Sequence, residues 1–506
     1  MFRSYHHYNL LNAVSKYFRI RFFAFRFAMF SSYLCLTVRI LTGILVGASM
    51  GFSLITQAHA QSETPGLGSM PSRSLTQPPD PTIPPVAPRE HFFGDWGGIR
   101  PPLEHHGIDL IAGYLSETMG NVTGGRGRGI AYADNRGIEL KIDWNKLAGW
   151  NGLTTRAIVI NRAGRSLSST VMGDSLYPVQ EIAGGGGNVA AHLSMVYAEQ
   201  LLLKKRVSIA VGRLQVATDF ASSPIYCEFV SNAFCGVPTP LSAGDRPAFT
   251  NGAAANWGGR IRGRPTPEIY VESGVFESNS ARGGRTGLQF SPATANGMMI
   301  PVEIGWEPGG GNNERSGHYK IGAYYDSARS TTLYRDLPSD EGYDLPVPSN
   351  NPATQKTIRG RSGFWIMADQ MLLRRGPYAR EGLIVFAGFT LSDDRFSPYR
   401  SLGFIGMVDR AFWPARRRDS YGFAVYYAQQ SRGLKALQKA EQAAGQPLTG
   451  GVPGPQGDEV IMEAEYTIHA CEGLTIEPDL QVVVHPGGVR QYGTALVLGF
   501  RTNVSF

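Results

Sequence analysis

The sequence predicts an all-β protein: a sixteen-stranded antiparallel transmembrane β-barrel with a short N-terminal helical segment. Three observations lead there. The chain opens with a secretory leader, many segments of about ten residues alternate apolar with polar, and the connections alternate short with long.

The leader fixes the compartment. Residues 1–60 hold six Lys/Arg and no Asp or Glu, Ile40 to Ile55 is a charge-free apolar run, and Ala58-His59-Ala60 precedes Gln61. A basic region, an apolar core and a small-residue exit are the parts of a signal peptide, with cleavage expected near Ala60. Met1 or Met29 could serve as the start. A retained anchor helix is the competing reading, but the apolar run is short for a membrane span. Without the leader, 42 Lys/Arg face 41 Asp/Glu, so the formal charge falls from +7 to +1 and calls for no nucleic-acid partner. Residues 61–91, with eight prolines, read as an extended linker. Residues 92–506 are left for the barrel.

Period-two alternation carries the fold. Leu496, Leu498, Phe500, Thr502, Val504 and Phe506 share one face of the last segment, against Gly499, Arg501, Asn503 and Ser505. Ile138, Leu140, Ile142 and Trp144 alternate with Glu139, Lys141 and Asp143; Trp257, Gly259 and Ile261 alternate with Gly258, Arg260 and Arg262. Val302, Ile304 and Trp306 alternate with Glu303, Gly305 and Glu307, and similar patterns recur at 460–468 and 474–482. An apolar face opposite a charged one suits lipid outside and water inside. Soluble sandwich strands also alternate but are usually shorter. Trp144, Trp150, Trp257, Trp306, Trp413 and Phe506 fall near segment ends, where an interfacial girdle would place them.

In order, the predicted strands are 107–122, 131–145, 152–162, 190–201, 205–215, 256–264, 267–277, 299–307, 317–327, 361–373, 380–391, 402–413, 419–430, 458–470, 472–485 and 491–506. A helical turn over 97–106 precedes them. Strands 1, 4 and 10 leave their facing open. Connections after even-numbered strands are mostly short and those after odd-numbered strands mostly long, as with periplasmic turns and extracellular loops.

Several motifs resemble the OprB-type carbohydrate-selective porin family. They are Phe93-Gly94-Asp95-Trp96-Gly97-Gly98-Ile99-Arg100 with Leu103 and Gly107-Ile108-Asp109, then Gly120-Asn121-Val122-Thr123-Gly124-Gly125, then Leu147-Ala148-Gly149-Trp150. Phe220-Ala221-Ser222-Ser223-Pro224 with Cys227 and Cys235, and Gln481 to Gly488, add to them. The resemblance spans 92–506. It implies a charge-lined, narrowed pore admitting glucose-like sugars by passive diffusion into the periplasm of a Gram-negative cell.

A selective constriction for a sugar needs donors and acceptors together, which Arg and carboxylates supply. Inward parity nominates Arg260, Arg262 and Arg264, with Glu139, Lys141, Asp143, Glu272, Glu303 and Glu307. Lys320, Tyr324, Asp326, Glu463 and Glu465 join them. The plainer reading of each is that it solvates a wet lumen. Cys227 and Cys235, eight apart in a secreted chain, are expected to form a disulfide. Gly184 to Gly187 and Gly309 to Gly311 lack the strand–helix context of a phosphate loop. His105-His106, His192, His318 and His485 show no zinc spacing. No cofactor or metal is expected. The expected partners are small carbohydrates and outer-membrane lipid, with a homotrimer open beside a monomer. A porin for small anions or organic acids is the alternative function. A barrel hydrolase is a more distant one, since no His-Glu-x-x-His occurs and the Gly-x-Ser-x-Gly run, Gly47 to Gly51, lies inside the apolar core of the leader.

Overall fold

The computed structural model describes residues 91–173, 176–182, 189–223, 225–233, 238–242, 249–250, 254–279, 286–309, 315–333, 357–376 and 381–506. The leader, the linker up to residue 90, Gly184 to Gly187 and Cys235 lie outside them.

Sixteen strands form: β1 (Ile108–Gly125), β2 (Gly129–Asp143), β3 (Leu153–Gly164), β4 (Val189–Leu202), β5 (Val207–Leu214), β6 (Asn256–Gly263), β7 (Ile269–Ser278) and β8 (Gly297–Trp306), then β9 (Gly317–Thr331), β10 (Thr357–Arg374), β11 (Gly382–Ser392), β12 (Tyr399–Arg410), β13 (Ser420–Gln430), β14 (Glu459–Cys471), β15 (Leu474–Val484) and β16 (Gly493–Ser505). Each pairs antiparallel with its chain neighbours, and β16 pairs with β1, so no edge is left open. The closing register sets Glu117 opposite Arg501 and Thr118 opposite Phe500. Among the described residues no helix is long and apolar enough to cross a membrane. Strands do the crossing.

The outward face is apolar. Ile138, Val211, Ile261, Ile304, Ile366, Ile405, Phe423 and Leu498 are exposed, as lipid-facing residues of a barrel should be. Register shifts interrupt the three strands of open facing. In β4 the register shifts so that Ser194 and Met195, adjacent in sequence, are both buried. β1 shifts near Asn121 and Thr123, and β10 shifts near Arg359 and again near Met371. An extra residue on one strand resets the parity, which a strict period of two cannot express.

At the periplasmic end the predicted helical turn is shorter than expected. α1 runs Arg100–His105, because Gly97 and Gly98 take positive φ of 66° and 90° and exclude helix before Ile99. Pro101 and Pro102 sit in its first turn, where a missing N–H is harmless. α2 (Trp144–Ala148) fills the β2–β3 turn, with Asp143 accepting from Asn145 N and Lys146 N and Gly149 closing it in the left-handed region. At the other end, α3 (Arg432–Ala443) lies in a connection expected to be irregular. Ser431 caps it by accepting from Leu434 N at 3.1 Å.

Candidate solute passage

Inward charges of neighbouring strands meet because the register sets them side by side. One row runs Ser208, Arg262, Glu272, Glu303, Gly322, Trp365, each opposite the next across β5 to β10. Gly322 is the gap in that row. A Cβ there would lie 2.1 Å from the Trp365 ring, so only glycine lets the indole reach over β9. Trp365 Nε1 then donates to Glu303 at 2.6 Å, and Tyr270, lying over Gly305 in the same manner, donates to Glu303 at 2.6 Å.

The long connection after β5 enters the lumen and is clamped by these groups. Arg260 donates to Asp219 at 2.9 Å, to Glu199 at 2.7 Å and to the Ser208 hydroxyl. Arg262 donates to Glu272 at 2.7 Å and lies 3.8 Å from Asp219. Ala221 N donates to Glu303 at 2.9 Å, and Lys320 Nζ donates to Ser222 O at 2.7 Å. Farther along, Val230 N and Ser231 N donate to Glu463 at 2.6 and 3.0 Å, beside Tyr426 OH at 2.9 Å. Arg501 donates to the carbonyls of Cys227, Glu228 and Phe229 at 2.9, 2.9 and 3.0 Å while paired with Glu477 at 2.8 Å. The connection after β3 is held likewise: Leu176 N to Glu459, Ile182 N to Glu117, and Gln481 Nε2 to Val179 O.

Two arcs of the lumen wall contrast, on either side of the ion-paired β5 to β8. From β9 to β13 the wall is aromatic. Phe249 packs on Tyr324 and Trp365, Tyr226 on Phe404, and Phe229 on Phe386 and Tyr426, with centroids 5.3–6.4 Å apart. From β14 round to β4 it is polar. Glu117 Oε1, both amide atoms of Asn135 and Arg156 Nε are buried there without a protein hydrogen-bond partner. Such atoms call for ordered water behind the lumen surface.

Parity placed the nominated residues inward, but most are buried in pairs. Arg260 and Arg262 are 3% and 9% exposed. Arg264 pairs with Glu307 at 2.7 Å, Glu139 with Arg156 at 3.6 Å, Lys320 with Glu303 at 3.8 Å, and Asp326 with Arg361 at 2.8 Å. Tyr324 serves the aromatic wall, Glu465 accepts from Thr467 at 3.0 Å, and Asp143 caps α2. Lys141 is half-buried on the same face as Glu139. Cys227 is disulfide-bonded, and its expected partner Cys235 lies outside the described residues. Arg501, Glu117, Arg156, Glu199 and Asp219 were not nominated. Arg501 lies on the polar face that alternation assigns to β16, and Arg156 lies on β3; Glu117 and Glu199 lie on β1 and β4, whose facing was open; Asp219 sits in a connection, where parity gives no signal.

Residues 127–506 match the family described as carbohydrate-selective porin, OprB family. The chain is 28% identical to Porin B of Pseudomonas aeruginosa over 435 residues, covering 82% of this chain and 91% of that protein. It is 26% identical to a putative porin, QuiX, of Acinetobacter baylyi over 444 residues, covering 83% and 93%. The high-pH structure of Pseudomonas putida OprB superposes with a TM-score of 0.74 at 27% identity, covering 83% of this chain and 99% of that one.

Proposed function

We propose, starting from the fact that the chain belongs to the OprB family of carbohydrate-selective porins, that it passes glucose-sized neutral sugars along the polar half of its lumen. It is a sugar-selective porin of a Gram-negative outer membrane, and its family and fold are those of a channel rather than an enzyme. The finer reading rests on one observation: inward cations stand within 4 Å of carboxylates, Arg156 by Glu139, Arg260 by Glu199 and Asp219, Arg262 by Glu272, Arg264 by Glu307, Lys320 by Glu303, Arg410 by Glu228 and Arg501 by Glu477. A wall whose cations are matched in this way offers donors and acceptors without a net positive field. That favours a neutral polyol over an anion. It disfavours the alternative of a porin for organic acids, which would need cations left unmatched. No step of this passage breaks a bond, so no catalytic residue is assigned.

Arg260, Arg262 and the pairs around them would border the narrowest part, because they hold residues 219–222 inside the barrel. Liposome swelling with hexoses, amino acids and anions of matched size tests the reading, with reversal potentials beside it. The wild type should rank hexoses first. Arg260→Ala with Arg262→Ala leaves Asp219, Glu199 and Glu272 uncompensated, so sugar ranking should flatten and ion preference should move toward cations. An unchanged ranking and reversal potential would remove these arginines from the constriction. Non-reducing peptide mapping tests the 227–235 crosslink, and intact mass tests a mature start near Gln61.

A further inference from the structure

On the outer surface, several charged side chains are neutralised by neighbours. Arg136 has Asp134 at 3.1 Å, Arg395 has Asp393 at 2.6 Å, Arg432 has Asp394 at 2.9 Å and Lys435 has Asp458 at 2.6 Å. Among the exposed described cations without such a neighbour, two face each other. At the extracellular end of β9 and β10, Arg329 stands directly opposite Arg359 in the strand register. Both are exposed, and among the described residues neither has a carboxylate within 4 Å. Like charges directly opposite on one face destabilise a strand pair. The face is the outer one, since Ala328 and Ser330, on either side of Arg329, are buried at 1% and 2%.

What lies below the two guanidiniums identifies the ligand. Descending the same face, Tyr325 and Ile321 on β9, Ile366 on β10 and Ile300 on neighbouring β8 are all exposed and apolar. Two fork-shaped donors above an apolar skirt, at the level where the outer leaflet begins, suit an anionic headgroup above acyl chains. A free anion would have no use for the skirt. We propose that Arg329 and Arg359 together bind a phosphate of the phosphorylated glycolipid of the outer leaflet, which relieves their mutual repulsion and fixes one lipid against β8 to β10. The site is separate from the lumen and does not depend on what the channel passes.

The test uses the full barrel purified in detergent, exchanged against bis-phosphorylated lipid A, and read by native mass spectrometry. Wild-type protein should retain bis-phosphorylated lipid A and should fail to retain dephosphorylated lipid A offered in its place. Arg329→Gln with Arg359→Gln should lower lipid A retention about tenfold while leaving heat-modifiable migration and sugar flux as in the wild type. The proposal is overturned if the double variant retains lipid A equally, or if dephosphorylated lipid A binds as well as the phosphorylated form. It is also overturned if inorganic phosphate alone displaces the lipid at low millimolar concentration, since the acyl skirt would then contribute nothing. A double variant that fails to fold is replaced by Arg359→Lys, which keeps charge but loses the fork and should retain intermediate amounts.

Discussion

Phe229 and Asn135 are both 0% exposed inside the same barrel, yet they sit in opposite kinds of surroundings. Phe229 is packed between Phe386 and Tyr426, with its carbonyl held by Arg501. Asn135 faces the polar half, and neither of its amide atoms has a protein partner. Equal burial therefore does not mean equal purpose. The aromatic half is completed by the chain itself, because the connection after β5 supplies the rings that fill it. The polar half leaves buried hydrogen-bonding groups without protein partners, which is costly for a dry core and calls for ordered water behind the lumen wall.

The sharpest way to break this contrast is truncation on the aromatic side. Phe229→Ala should destabilise the barrel by about 3–5 kcal/mol and release the infolded segment. Heat-modifiable migration on gels should shift to lower temperature, and single-channel conductance should rise. If both stay at wild-type values, the segment does not depend on this packing.

A smaller loss is expected where the segment is tied by its backbone. Glu463→Ala strips the acceptor from Val230 N, Ser231 N and Tyr426 OH, and unpaired buried donors cost on the order of 1–3 kcal/mol. The channel should open and close more noisily in planar bilayers, and quiet records would argue that other anchors suffice.

Smaller still is the expected stability effect of Asn135→Ala, less than about 1 kcal/mol, because no protein hydrogen bond is lost. Its effect should fall on transport instead, through the ordered water that the amide holds behind the polar wall. Discrimination among hexoses in liposome swelling should weaken while the melting temperature holds. A large stability loss with unchanged discrimination would reverse the assignment of the two halves.

The least effect concerns the extracellular helix α3. Burial raises the Asp458 carboxyl, but hydrogen bonds from Lys435 and Tyr427 outweigh it and hold the group below its ordinary range. A depressed carboxylate contributes stability above its usual value of about 3.9 that is lost as pH falls through the folded value. Hydrogen exchange over 432–443 should therefore quicken only below about pH 4. Protection unchanged down to pH 2 would show that this contact does not hold the helix.

The strands were legible because each must show lipid one face and the lumen the other. Period two follows from that demand and survives in β2, β8, β14 and β16. It fails at the bulges in β1, β4 and β10, where one extra residue turns the next side chain over. The same parity put Arg260, Arg262, Glu303 and Glu463 inside, and the structure agrees. Parity says nothing about what a connection does once it leaves the sheet. Asp219 between two arginines, Ala221 N on Glu303 and Phe229 among three strands are contacts between residues far apart in sequence. They depend on which inward groups lie at one depth across different strands, and only the closed register sets that. So the sequence by itself determined the barrel, its compartment and its inward charge. The tertiary structure decided which charges would be matched, which half would be filled by the chain's own rings, and where buried polar atoms would be left to water.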